Sequence, residues 1–123
     1  MFTEFKSRYD FNETLNRIKS FLNKNNIKIF SEIDHKKNAE SVGMNLNNEY
    51  LIIFGSPVLG TNLMLDDPRS GIELPMRMLI YENNGINVLY LDPKDMKSMF
   101  KLRDDYLNKM SDLIKKIRSE LEY

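Results

Sequence analysis

The only histidine of this chain stands directly behind two acidic residues. His35 follows Glu32 and Asp34 in the segment EIDH. An imidazole titrates near neutral pH, and a neighbouring carboxylate can orient it as a general base or share a metal ion with it. His35, Asp34 and Glu32 are therefore candidate catalytic residues, and His35 with Glu32 is the candidate metal pair.

A structural role explains the same residues with fewer assumptions. Asp34 can cap a short helix over residues 35–42, which Gly43 would end. Adjacent residues of a strand point to opposite faces, so the side chains of Asp34 and His35 need not converge. Both interpretations stay open on the sequence alone, and the structural one is favoured.

A second candidate site follows the most apolar strand of the chain. Residues 50–54 are apolar at every position, which is typical of a central strand, and they lead into a segment of about 20 residues rich in glycine and proline. A loop that long is often functional, and we expect only residues 60–66 to form a helical turn. Asp66 and Asp67 are interpreted as a solvated turn. The candidate ligand-binding residues are Gly55, Pro57, Gly60, Thr61 and Met64.

Composition excludes several classes of site and of protein. The chain has no cysteine and one histidine, which excludes thiolate chemistry and a three-histidine zinc centre within one subunit. Eighteen basic residues balance eighteen acidic ones, which argues against a nucleic-acid partner. No apolar run is long enough for a membrane span, and the first residues lack a signal-peptide pattern. We expect a cytoplasmic protein without nucleic-acid or membrane partners, and the sequence indicates no particular cofactor.

Periodicity and turn residues predict the elements that position these sites. Asp10, with Glu13 three residues on, caps a first helix. Asp92-Pro93 begins a long helix that ends near Leu121 and breaks near Leu102. The irregular order of elements predicts an α+β fold with a mostly antiparallel sheet and helices on one side, in a single domain over residues 1–123. The predicted strands cover residues 3–9, 27–33, 50–54, 76–83 and 86–92.

The clearest local signal is a hairpin around Asn84-Gly85, the dipeptide favoured in type I′ turns. A two-residue turn at this position pairs Tyr81 with Val88, Leu79 with Tyr90, and Arg77 with Asp92. Tyr81 and Tyr90 would then share one face of the sheet. Since both faces of this hairpin are apolar, we expect helices to cover one, and a ligand, a loop or a second subunit to cover the other.

These motifs together resemble one known family. The chain carries EIDH at residues 32–35, IIFG at residues 52–55, LGT at residues 59–61 and YLDP at residues 90–93. In this order and spacing they resemble the domain-of-unknown-function family numbered 302, from about residue 10 to residue 110. The resemblance implies a TATA-binding-protein-like fold: a curved, mostly antiparallel sheet of four to five strands, with an N-terminal helix and a long C-terminal helix packed on one face. It also implies a homodimer, and it supplies no reaction.

The sequence therefore predicts a homodimeric binding module for a small molecule or a metal. In this hypothesis the sheet face, the glycine- and proline-rich segment and His35 form one apolar pocket. One alternative is an enzyme that uses His35 with Asp34 or Glu32 as acid and base on a small substrate. Another is a structural or interaction dimer without a ligand.

Overall fold

The computed structural model describes residues 1–123 and contains five strands, four α-helices and two 3-10 helices. The strands are β1 (Phe2–Ser7), β2 (Lys28–Asp34), β3 (Glu49–Gly55), β4 (Met76–Glu82) and β5 (Ile86–Leu91). The α-helices are α1 (Phe11–Lys24), α2 (His35–Glu40), α3 (Pro57–Asp66) and α4 (Asp104–Leu121), and the 3-10 helices are η1 (Pro68–Ile72) and η2 (Pro93–Ser98).

All five strands form one antiparallel sheet in the order β1-β5-β4-β3-β2. The N-terminal helix α1 and the long C-terminal helix α4 pack on one face of it, because each carries apolar residues at helical spacing. The predicted α+β architecture is confirmed. The core between helices and sheet is a cluster of 19 buried residues, among them Ile18, Leu22, Ile52, Phe54, Met78, Ile80, Val88, Leu107, Ile114 and Ile117.

The opposite face of the sheet, here called the open sheet face, carries a row of aliphatic side chains. Cross-strand pairing aligns Leu89 with Leu79, Leu79 with Leu51, and Leu51 with Ile33. Paired residues of neighbouring strands present their side chains on the same face. These four residues are half-buried, whereas their sequence neighbours Val88, Ile80 and Ile52 are fully buried against the helices.

The predicted helix caps are confirmed. The backbone N–H of Glu13 donates to Asp10 Oδ1 at 2.8 Å, and that of Lys37 donates to Asp34 Oδ1 at 3.0 Å. Asp92 caps η2 by accepting from the backbone N–H of Lys94 at 3.0 Å. The C-terminal helix breaks where expected, since η2 ends at Ser98 and α4 begins only at Asp104.

The predicted register of the hairpin is wrong by one residue. Glu82 pairs with Ile86, so the connection has three residues instead of two. Within it the backbone N–H of Asn83 donates to the carbonyl oxygen of Gly85 at 2.9 Å, and Asn84 and Gly85 both have positive φ. A shift of one residue moves every side chain of a strand to the other face.

The shift replaces all three predicted pairs. Tyr90 now pairs with Met78 and is buried on the helical face, whereas Tyr81 pairs with Asn87 on the open sheet face. The predicted pairing of Arg77 with Asp92 is wrong as well. Arg77 lies 2.6 Å from Glu73 Oε2, and Asp92 Oδ1 accepts from Ser111 Oγ at 2.9 Å.

The predicted loop after β3 is mostly helical. Ser56 caps α3, since its Oγ accepts from the backbone N–H of Leu59 at 3.3 Å, and Pro57 occupies the first helical turn, where its missing N–H costs nothing. The expected helical turn over residues 60–66 is therefore the end of a longer helix. The sequence did not predict this helix because glycine and proline are typical of loops, whereas Gly60 lies inside α3.

Candidate functional site

A cavity of about 300 Å³ lies between α3, the start of β4 and α4, on the helical face of the sheet; we call it the helix-side cavity. It contains all five residues that the sequence indicated as ligand-binding. Its lining is Gly55, Pro57, Gly60, Thr61 and Met64, together with Phe30, Ser56, Leu74, Pro75, Met76 and Met110. The structure thus brings the five together, and their role in binding stays a prediction.

Helical spacing explains why α3 presents these residues together. Positions 57, 60, 61 and 64 of an α-helix lie on one face, and this face lines the cavity. A Cβ added at Gly60 would meet no heavy atom within 4 Å, and one at Gly55 would meet Pro75 Cβ at 3.7 Å. Gly60 therefore leaves space open, whereas Gly55 allows a close approach to β4.

No charged side chain lines the helix-side cavity. Met76 and Met110 are almost completely buried, whereas Phe30 and Met64 are 41% and 38% exposed. The only side-chain hydroxyls are those of Ser56 and Thr61, and Ser56 already caps α3. Such a lining favours an uncharged apolar molecule, because a buried charge without a partner is costly.

Sequence reasoning did not select six of the lining residues as ligand-binding: Phe30, Ser56, Leu74, Pro75, Met76 and Met110. Leu74 and Pro75 end the very segment that contains the predicted residues, so proximity in sequence could have found them. Met110 lies in the middle of α4 and reaches the cavity only through the packing of α4 beside α3. No local pattern could identify it.

His35 lines a different cavity of about 250 Å³ on the open sheet face, here called the sheet-face cavity. Leu51, Leu79, Leu89 and Leu91 line it with aliphatic side chains. Three charged residues join His35 in its lining, namely Glu49, Glu73 and Arg77, and Phe2, Met76, Tyr90, Pro93 and Met96 complete it. The single pocket predicted from the sequence is thus two cavities on opposite faces.

The two acids that precede His35 are engaged elsewhere. Asp34 caps α2 through Lys37, as described above. Glu32 Oε1 lies 2.5 Å from Lys19 Nζ and accepts from the Tyr50 hydroxyl at 2.7 Å. The hydrogen bond from Lys19 lowers the pKa of the Glu32 carboxyl, and the same bond raises the pKa of Lys19.

The structure therefore does not assemble the acid–base group that the sequence allowed. Glu32 pairs with the buried Ile52 and projects towards α1, whereas His35 lines the sheet-face cavity. No group of three or more histidine, cysteine, aspartate or glutamate side chains is arranged to hold a metal ion.

The adjacent carboxylates Asp66 and Asp67 connect α3 to the segment before α4. Asp67 is buried and accepts from the Arg69 side chain at 2.9 and 3.1 Å and from the backbone N–H of Lys101 at 3.1 Å. These bonds, those from Arg69 first, hold the pKa of the Asp67 carboxyl far below its usual range. Asp66 Oδ2 lies 3.0 Å from Arg103 Nε. The expected solvated turn is instead a set of ion pairs and hydrogen bonds. We call it the polar latch; it comprises Asp66, Asp67, Arg69, Lys101 and Arg103.

Two curated proteins are similar in sequence to part of this chain. The fluoride-specific ion channel FluC 1 of Brucella suis biovar 1 (strain 1330) is 36% identical over 80 residues, which are 65% of this chain and 32% of that protein. FluC 1 of Brucella abortus biovar 1 (strain 9-941) is also 36% identical over 80 residues, 30% of its length. The chain thus spans about a third of the length of these curated relatives. None of its own helices combines the length and apolar character that a bilayer crossing requires.

A solved structure shares the fold. The crystal structure of an uncharacterised conserved DUF302 protein from Bacillus stearothermophilus matches with a TM-score of 0.74 and 16% sequence identity, over 97% of this chain and 93% of that chain. The family model described as "Domain of unknown function DUF302" matches residues 3–122. Both findings confirm the resemblance that the motifs indicated: the chain belongs to the DUF302 family.

Proposed function

We propose that this chain is a homodimeric binding module that holds a small, uncharged, mostly apolar molecule in the helix-side cavity. One observation carries the proposal: five residues selected for their sequence pattern converge on a single cavity that contains no charged side chain. Its volume of about 300 Å³ lies at the small end of the range for ligand pockets.

The lining favours binding through apolar contact. Each Å² of apolar surface removed from water contributes roughly 25 cal/mol. Met64, Met76 and Met110 supply flexible, polarisable side chains that adapt to ligands of different shape. Thr61 supplies a hydroxyl that can orient one polar atom of the ligand. An anion or a cation would lose its hydration without gaining a partner.

Gly60 provides a direct test. In Gly60→Leu, the new side chain extends from the cavity wall into open space and occupies the volume that a ligand needs. Gly60→Ala is the matched control, because it adds a single methyl group at the same position. Alanine also has the higher helix propensity, so this control should be more stable than the wild type by roughly 0.5–1 kcal/mol.

Indole is a suitable neutral probe, and the shift of the melting temperature Tm reports its binding. We expect indole to raise the Tm of the wild type and of Gly60→Ala, and to leave the Tm of Gly60→Leu unchanged. Benzoate, of similar size but charged, should raise none of them. An equal response to indole in Gly60→Leu and in the wild type would refute the helix-side cavity as the binding site.

The homodimer is the second part of the proposal, and the aliphatic row of the open sheet face supports it. Contiguous apolar surface of this kind is typical of interaction sites. Sedimentation equilibrium over a range of protein concentrations measures the association. We expect a mass of two chains in the micromolar range, whereas the mass of one chain at every concentration would contradict this part.

A further inference from the structure

We propose that a second copy of this chain docks on the open sheet face, related to the first by a two-fold axis that runs along the aliphatic row. This inference rests on the homodimer of the proposed function and names its interface. Three observations carry it: a continuous apolar surface, charges of opposite sign on its two sides, and the geometry that brings those charges together.

The apolar surface crosses most of the sheet. The row of Leu89, Leu79, Leu51 and Ile33 joins four of the five strands through direct cross-strand pairs. Leu91 and Ile53 widen it on one side, and Phe2, which is paired with Leu91 and 62% exposed, extends it onto β1. Since α1 and α4 occupy the other face, neither long helix of the chain covers this surface.

Opposite charges lie on the two sides of the row. Arg77 precedes Leu79 by two residues on β4, and Glu49 precedes Leu51 by two residues on β3. Because β3 and β4 are antiparallel, the two charged side chains lie on opposite sides of the aliphatic row. Arg77 is 43% exposed in its side chain and pairs with Glu73 through one nitrogen, which leaves N–H donors free.

Among the charged residues Glu49, Glu73 and Arg77 of the sheet-face cavity, only Glu49 lacks a partner within the chain. Its carboxylate lines the sheet-face cavity, its residue is half-buried between Tyr81 on β4 and the start of α2, and it forms no ion pair or hydrogen bond. A carboxylate in this position is more stable when a cation from outside the chain approaches it. Arg77 of a second copy is such a cation.

Symmetry decides which groups meet. A two-fold axis along the aliphatic row exchanges the two sides of the row, so that Arg77 of each copy approaches Glu49 of the other. A two-fold axis parallel to the strands keeps each side in place and stacks Arg77 on Arg77. The first arrangement is self-complementary and forms the ion pair twice in each dimer, and it packs the two aliphatic rows against each other.

Charge exchange at these two positions tests the interface. Glu49→Arg and Arg77→Glu should each weaken dimerisation about tenfold or more, because like charges then meet twice across the interface. The double variant carrying both substitutions restores opposite charges and should recover most of the affinity. Asp112→Arg is the matched control, since Asp112 is exposed on α4, away from this face.

Sedimentation equilibrium measures the dimer Kd, and circular dichroism checks that every variant is folded. Loss of dimer in both single variants with recovery in the double variant is the expected result. A wild-type dimer that both single variants retain would overturn this interface and leave the homodimer standing. A monomeric wild type would overturn both.

Two other outcomes would also overturn the inference. One is a double variant that remains as weak as the single variants, because the Arg77–Glu49 contact would then be absent. The other is a monomer that carries a small molecule in native mass spectrometry and loses it in Glu49→Arg, because the face would then bind a ligand and not a second copy.

Discussion

The helix-side cavity and the sheet-face cavity lie on opposite faces of one sheet and differ mainly in charge. Their volumes are similar, about 300 and about 250 Å³. The first is lined by α3 and α4 and contains no charged residue. The second is lined by four leucine side chains, with Glu49, Glu73, Arg77 and His35 around them.

The difference in charge determines what kind of partner each cavity can hold. An uncharged lining stabilises a small neutral molecule that fills it, whereas charges around an apolar floor orient a larger partner that covers it. Met76 lines both cavities, so the sheet is a single layer between them. The helix-side cavity should therefore respond to changes in volume, and the sheet-face cavity to changes in charge.

The largest effect on stability is expected where the helix-side cavity meets the core. Met110 is 3% exposed and forms part of the cavity wall. Met110→Ala should lower the free energy of unfolding by about 2–5 kcal/mol, because it removes buried apolar contacts and enlarges the cavity. Leu65→Ala, at a position that is 76% exposed on α3, should stay within about 0.5 kcal/mol. Urea unfolding measures both, and equal costs would contradict the buried position of Met110.

A smaller effect is expected at the polar latch that follows α3. Asp67→Asn should lower the Tm, since the charged acceptor for Arg69 and for the backbone N–H of Lys101 is lost. Asp112→Asn should not, because Asp112 is exposed on α4 and forms no ion pair or hydrogen bond within the chain. Differential scanning calorimetry compares the two variants, and a Tm for Asp67→Asn equal to that of the wild type would show that the latch contributes nothing.

The latch also predicts how stability depends on pH. The folded state lowers the pKa of Asp67 below its value in the unfolded chain, so the carboxylate stabilises the fold fully above about pH 4, the usual range of an aspartate. This contribution is lost progressively as the pH falls further. Tm measured from pH 6 to pH 2 should therefore fall less steeply in Asp67→Asn than in the wild type. An equal fall in Tm with pH in the two proteins would contradict this prediction.

The smallest effect on the proposed ligand site is expected at the only histidine. His35 lines the sheet-face cavity and not the helix-side cavity. His35→Ala should therefore change neither the indole-induced shift in Tm nor, by more than about 0.5 kcal/mol, the free energy of unfolding. Loss of the indole response would show that the two cavities act as one site, as the sequence first suggested.

The fold was largely predictable because its signals are local. Asp10, Asp34 and Asp92 are caps that the sequence displays directly, and the apolar strand β3 and the stripe of α4 follow from periodicity. The hairpin register was not predictable to one residue, since Asn84-Gly85 fits turns of two or three residues. Helix α3 was concealed because Gly60 and Pro57 are read as loop residues.

The candidate site was predictable only in part, for the same physical reason. Gly55, Pro57, Gly60, Thr61 and Met64 are close in sequence, so one pattern found them together. Met110 comes from a helix that reaches the cavity only after the chain has folded. Which strand residues line which cavity depends on the strand register. A register shift of one residue moves a side chain to the opposite face of the sheet, and so from one cavity to the other.

The most direct test of ligand binding in the helix-side cavity is an NMR titration of protein labelled at its eight methionine methyl groups. Met64 and Met110 line only the helix-side cavity, Met96 lines only the sheet-face cavity, and Met44 is exposed away from both. If indole binds in the helix-side cavity, it should shift the Met64 and Met110 signals in a saturable manner and leave the Met96 and Met44 signals in place. Saturable shifts at Met96 alone, or no saturable shift at any methionine, would contradict binding in this cavity.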